Sequence, residues 1–250
     1  MCLIAHNIRL RGGQLSRRKT FQDLRGKKRV GIAQMPEAGN VETAKHHRIS
    51  LPEVLKLANL KVGFGIGDVE VAAFDEAGIL FEGNYENEKP LRFRLLEDEG
   101  QIVVGDWSST EWLPYFWYFF GDCRIKLNKH VPLRIAVDTR VGDTNLPLFE
   151  SRLQDLRVRY LVGDLDIQFP QAGLISGSIE STVGDITIAV PRALGARIRL
   201  GSAVLGKCRI EDDLFEKRGP EYVSKDFDKA ENRLDLRIEF HLGDLRITSI

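Results

Sequence analysis

The chain has little of what builds catalytic or metal centres. Its three cysteines, Cys2, Cys123 and Cys208, stand far apart. An odd number without C-x-x-C spacing argues against a disulfide framework or a zinc site. The five histidines are His6, His46, His47, His130 and His241, and none has metal-binding spacing. His46 and His47 are adjacent and would point to opposite faces of a strand. There is no G-x-S-x-G, no Walker loop and no G-x-G-x-x-G opening a helix; Gly63 to Gly67 fall inside a strand-like pattern. The neighbouring carboxylates Asp212 and Asp213 lie in a polar insertion with no second acid to work against. No catalytic, cofactor-binding or metal residue is assigned, and an enzyme is not expected. No segment approaches the roughly 18 apolar residues of a membrane span, and the start of the chain makes a poor secretory signal.

What the chain does have is a spaced dipeptide. Gly121-Asp122, Gly142-Asp143, Gly163-Asp164 and Gly184-Asp185 follow one another at a single fixed interval. Further copies stand at Gly67-Asp68, Gly105-Asp106 and Gly243-Asp244, seven in all where the composition alone gives fewer than two. A constant period of about 20 residues is the mark of stacked coils.

Aligned on the glycine, apolar residues alternate with polar ones, the period of a half-buried strand. Five before it stand Val137, Val158 and Ile179, and one before it Val141, Val162 and Val183. Two after it stand Cys123, Thr144, Leu165 and Ile186, and four after it Ile125, Leu146, Ile167 and Ile188. Odd positions therefore point inward before the glycine and even positions after it. A strand cannot change face without an extra residue, so the dipeptide marks a bulge or corner. Glycine suits a corner that needs positive φ, and aspartate can accept nearby backbone N–H groups. The expected fold is all-β: a single-stranded, right-handed β-solenoid of about 21-residue coils with mostly parallel strands. Its structural corners are Gly142, Asp143, Gly163, Asp164, Gly184 and Asp185, with Gly121 in the same column.

Stacking at about 4.8 Å per coil turns equivalent positions into ladders. Asp138, Arg159 and Glu180, four before the glycine, alternate in sign on an outward ladder. The corner aspartates form a column of like charge, at roughly 1 kcal/mol of repulsion per neighbouring pair in water. Either backbone donors and nearby arginines offset it, or a cation such as Ca²⁺ does. Cys123 and Cys208 share a column four coils apart and read as small core residues.

The charge is balanced but uneven. Residues 1–50 hold 11 Lys and Arg against 3 Asp and Glu. They are expected to be a basic, mostly disordered leader, with a short helical stretch possible from Ser50 to Leu57. Residues 51–250 are the β-solenoid domain, with an irregular N-terminal cap over 51–120 and a regular stack over 121–250. Eight aromatics crowd Trp107 to Phe120, including every tryptophan. They read either as a cover for the open end of the stack or as a contact surface, with Trp107, Trp112, Tyr115, Trp117 and Tyr118 as the candidate partner residues.

The runs from Val131 to Asp143, Val162 to Ile167 and Val183 to Pro191, and the ending from Tyr222 through Leu242-Gly243-Asp244-Leu245, resemble the C-terminal domain of LiaF-type cell-wall-active-antibiotic response proteins. These toast-rack domains adjoin adhesin-like β-solenoids, and the likeness covers about residues 57–250. The resemblance implies a bacterial protein without enzymatic activity or cofactor. It implies a role in the envelope-stress response through contact with a protein partner such as a membrane sensor or regulator. The chain departs from that pattern by carrying a basic leader where the relatives have transmembrane helices. The expected location is the cytoplasm, with membrane association only through a partner. A homo-oligomer is an alternative, as a self-assembling structural or adhesin-like solenoid, and no nucleic acid is expected.

Overall fold

The computed structural model describes residues 41–105, 120–201, 205–211 and 214–250, and among them there are strands and turns but no helix. The strands are, in order, β1 (Val41–Ser50), β2 (Leu57–Ile66), β3 (Val69–Phe74), β4 (Ile79–Leu96), β5 (Glu99–Gly105), β6 (Cys123–Asn128), β7 (Pro132–Val141), β8 (Thr144–Pro147) and β9 (Arg152–Val162). There follow β10 (Leu165–Gln168), β11 (Leu174–Val183), β12 (Ile186–Val190), β13 (Gly195–Leu200), β14 (Cys208–Ile210), β15 (Phe215–Arg218), β16 (Glu221–Ser224), β17 (Arg233–Leu242) and β18 (Leu245–Ser249). All belong to one hydrogen-bonded sheet.

A glycine corner separates β2 from β3, β7 from β8, β9 from β10, β11 from β12 and β17 from β18. Each such strand pair is one rung. The strands before the corners pair in parallel along β5–β2–β7–β9–β11–β17–β13. The strands after the corners pair in parallel along β6–β3–β8–β10–β12–β18–β14. Where the chain advances by one repeat per rung, Leu165 lies beside both Thr144 and Ile186, and Val158 beside both Val137 and Ile179.

Rung order is not chain order. The rung of Gly67 lies between those of Gly121 and Gly142, because Ile66 pairs with both Phe120 and Val141. At the other end Leu242 pairs with both Val183 and Leu205, so the rung of Gly243 precedes that of Gly206. The sequence spacing suggested that Gly121 and Gly142 are neighbours, whereas one rung separates them. Cys123 and Cys208 stand at opposite ends of the column; Cys123 is buried, and Cys208, on the last rung, is exposed rather than part of the core.

The sheet is mixed rather than parallel throughout. β4 runs antiparallel to β6 through its first half and to β5 through its second, and β1 lies antiparallel along β4. At the opposite end β16 is antiparallel to β13, and β15 to β16. Parallel pairing needs equal positions in successive coils, whereas an antiparallel strand needs only a nearby edge, so these pieces leave no fixed interval in the sequence. β1 falls within the stretch expected to be leader. Its polar alternation hid a strand that lies along β4 and buries His47 and Ile49. Leu51 to Lys56 form a turn in place of the helical stretch, with Leu55 N–H donating to Pro52 C=O at 3.1 Å.

The core fills the space between the two runs of strands. Val137, Val158, Ile179 and Ile238 meet Leu165, Ile167, Ile186 and Ile188, all buried. Outside, Arg159 bonds Asp138 on the neighbouring rung, as the ladder of alternating charge predicts. Among the described residues no helix is long and apolar enough to cross a membrane.

Candidate functional site: the glycine-aspartate ridge

The corners stack into a ridge whose local chemistry follows from one missing hydrogen bond. At each rung the glycine N–H donates to the preceding residue's carbonyl on the next rung, as from Gly142 to Val162 C=O at 3.0 Å and from Gly163 to Val183 C=O at 3.1 Å. Two residues on, the regular ladder resumes, as from Thr144 N–H to Asp164 C=O at 2.8 Å. The aspartate N–H between them has no carbonyl to meet. The carboxylate of the adjacent rung takes that place.

Six such bonds run the length of the stack. Asp68 N–H donates to Asp122 Oδ1 at 3.1 Å, Asp143 to Asp68 at 2.9 Å, and Asp164 to Asp143 at 2.8 Å. Asp185 donates to Asp164 at 2.8 Å, Asp244 to Asp185 at 2.8 Å, and Lys207 to Asp244 at 2.9 Å. Lys207 holds the aspartate position of the terminal rung, where no further N–H waits for an acceptor. Backbone donors thus engage one oxygen of each aspartate in the column. Among the described residues no group of His, Cys, Asp and Glu is arranged to hold a metal ion.

Glycine is required beside each aspartate on two counts. Gly163 has φ of 142°, and a Cβ built there would collide with the carbonyl of Gly142 below it. L-residues avoid that part of backbone space, and the close rung spacing leaves no room for a methyl.

The outer face of the ridge is two-sided. After the corner, the aspartates line a groove of about 510 Å³ that contains seven carboxylates and one guanidinium, Arg124. Arg124 is taken up by Glu70 at 3.7 Å. Among the described residues none of the six ladder aspartates forms an ion pair. Before the corner lies a second ladder, Phe120–Ile66–Val141–Val162–Val183–Leu242–Leu205, joined residue to residue across seven rungs. Its members are apolar, yet Ile66, Val141, Val162, Leu242 and Leu205 are between 38% and 64% exposed, and Leu161 beside them is 45% exposed.

This apolar ladder corrects the parity read from the sequence. Positions three and five before the glycine do point inward, as Tyr160 and Val158 do, but position one turns out with the corner. A valine on a rim and a valine in the core are the same letter. The usable signal is the aspartate two residues on, which pulls its neighbours toward solvent. The corner residues Gly142, Asp143, Gly163, Asp164, Gly184 and Asp185 stand in one column. Trp107, Trp112, Tyr115, Trp117 and Tyr118 lie outside the described residues.

A larger, shallow cleft of about 1220 Å³ lies on the flank, where Gln154 bulges out between the pairs Leu133–Leu153 and Arg134–Asp155. Its charged groups are engaged locally: Asp155 accepts from Ser176 Oγ at 2.8 Å and pairs with Arg157 at 3.0 Å. The histidines likewise have structural partners. His130 Nε2 is 3.0 Å from Asp75 Oδ1, and His241 Nδ1 is 3.1 Å from Ser181 C=O. Burial pushes the Cys123 thiol up to about 12, so it is not a poised nucleophile.

The fold has a crystallographic counterpart. A candidate cell adhesion protein from Clostridium sporogenes superposes with a TM-score of 0.69 at 20% identity, covering 84% of this chain and all of the other. A candidate adhesin from Bacteroides fragilis aligns over 84% of this chain and 97% of its own, with a TM-score of 0.31 and 8% identity. No functionally curated protein matches the sequence. Residues 38–189, more than half of the chain, match the family described as the N-terminal domain of toast_rack, DUF2154. With its stacked glycine corners and all-β architecture, the chain belongs to the toast-rack family.

Proposed function

We propose that the protein is a right-handed β-solenoid of about 21-residue coils that works as a non-enzymatic protein-contact module of the bacterial cell envelope. In this reading it restrains an envelope-stress sensor by direct contact, as the LiaF-type resemblance implies, and sits on the cytoplasmic side of the membrane through that partner. One observation carries the contact role. A row of apolar side chains runs along the ridge, exposed at Ile66, Val141, Val162, Leu242 and Leu205, where polar residues would be expected on a surface with no partner. Among the described residues the proposed partner surface is Ile66, Val141, Val162 and Leu242.

The test is site-specific photo-crosslinking in cells that make the protein. A crosslinker at Val162 should trap another protein, whereas one at Glu180, outward on the same rung group but off the ridge, should not. Absence of any adduct at Val162 overturns the reading.

A second reading, self-assembly, is favoured by the stack's terminal rung. Among the described residues β14 pairs only with β18 and no strand lies along its other edge. Sedimentation of the purified chain would then show association growing with concentration, and a crosslinker at Arg209, on the terminal rung, would trap a second copy.

A further inference from the structure

We propose that the ridge receives a basic, amphipathic helical segment of a partner protein, laid along the stack with its apolar stripe on the valine ladder and its cations over the aspartates. The proposal rests on the contact reading above and names the chemistry of the contact.

Three observations carry it. The apolar ladder and the aspartate ladder run side by side for the length of the stack, two residues apart across the glycine column. Each ladder aspartate spends Oδ1 on a neighbouring N–H, and among the described residues none has a cation against it. The adjoining groove holds seven carboxylates and a single guanidinium already held by Glu70. A row of like charges at about 4.8 Å spacing is relieved by cations brought from outside.

Geometry selects the helix. One rung advances about 4.8 Å and one helical turn about 5.4 Å, so successive turns of a helix keep near register with successive rungs. An extended strand repeats its same-face side chains at about 6.6 Å and loses register sooner. Seven rungs span about 29 Å, the length of roughly 19 helical residues. The same charges disfavour an anionic membrane, whose headgroups the aspartates would repel.

The test uses the full chain and two synthetic helices of about 19 residues with one leucine stripe, one flanked by lysine and the other by glutamate. The lysine helix should bind, and more weakly as salt is raised. The variant combining Asp143→Asn, Asp164→Asn and Asp185→Asn should bind it at least about tenfold more weakly, with a melting temperature no lower than the parent's. Asparagine keeps the oxygen that accepts the ladder N–H and removes only the charge. If that variant fails to fold, the lysine-against-glutamate comparison still tests the charge, and Val162→Ser, on an exposed rung, should weaken binding through the apolar stripe. Equal binding of both helices, no loss in the substituted proteins, or stronger capture by anionic phospholipid vesicles than by the lysine helix each overturns the proposal. A protein crosslinked through Val162 whose capture is indifferent to the asparagine substitutions would sink the cationic chemistry alone. Absence of any such adduct would sink the contact role beneath it.

Discussion

The backbone N–H of Asp185 donates to Oδ1 of Asp164 across 2.8 Å, and the two residues hold the same place in successive turns of the repeat. Each aspartate after Asp122 at the end of the column therefore serves the rungs beside it, acceptor to one neighbour and donor to the other. The motif is one that works only when repeated.

Substitution at Asp164 separates this role from charge. Asp164→Ala leaves the Asp185 N–H without its acceptor and should cost about 0.5–1.5 kcal/mol. Asp164→Asn keeps the acceptor and removes a like charge, so its stability should equal or exceed that of the parent. Urea melts of the two variants check the order.

Gly163→Ala should be far worse than its single methyl suggests. Positive φ and the collision with the Gly142 carbonyl act together, and the loss should exceed about 3 kcal/mol. Gly219, in the turn between β15 and β16, has φ of 64° with open space around its Cβ direction. Gly219→Ala should cost about 1 kcal/mol. Thermal melts showing similar losses at both sites would contradict the close-stacking account.

Ile167 is fully buried mid-stack, and Ile167→Ala should cost about 2–5 kcal/mol. Arg159, exposed on the outer ladder and bonded to Asp138, should lose less than about 1 kcal/mol on substitution by alanine. The reverse order in denaturant would invert the assignment of inner and outer columns.

Lys89 and Cys123 give stability opposite slopes in alkali. Lys89 is buried beneath Phe64, donates to Phe120 C=O at 2.5 Å, and burial lowers its pKa to about 8. Between pH 8 and its ordinary value of 10.5 the unfolded chain holds the extra proton, so this group's contribution rises with pH. Burial raises Cys123 to about 12; above its ordinary value of 9.0 the unfolded thiol ionises while the folded one does not, and stability falls. Lys89→Met should remove the rise from about pH 8 to 10, and Cys123→Ala should soften the fall above about 9. Melting temperatures of each variant minus the parent, taken from about pH 7 to 11, read both slopes.

The stack from Gly142 to Gly184 was legible because parallel pairing sets like residues side by side, so a spatial step of one rung is one constant step along the chain. The place of Gly67 was not. The long stretch between Gly67 and Gly121 includes β4, whose antiparallel pairing follows no interval. The aspartate column was legible as like charge, and backbone donors were one of the two remedies expected for it. The apolar ladder was hidden, since Val141 and Val162 carry no mark of facing outward until the corner's geometry is known.

The exchange of chain order at the carboxyl-terminal end has a consequence for how the molecule is made and cut. β13 and β14 emerge first, yet each takes its place in the stack only against β17 and β18. A ribosome that has finished Ile210 has produced a rung with nowhere to dock. Proteolysis that removes Arg233–Ser249 would strip two rungs at once and bare β11 and β12 as the new edge.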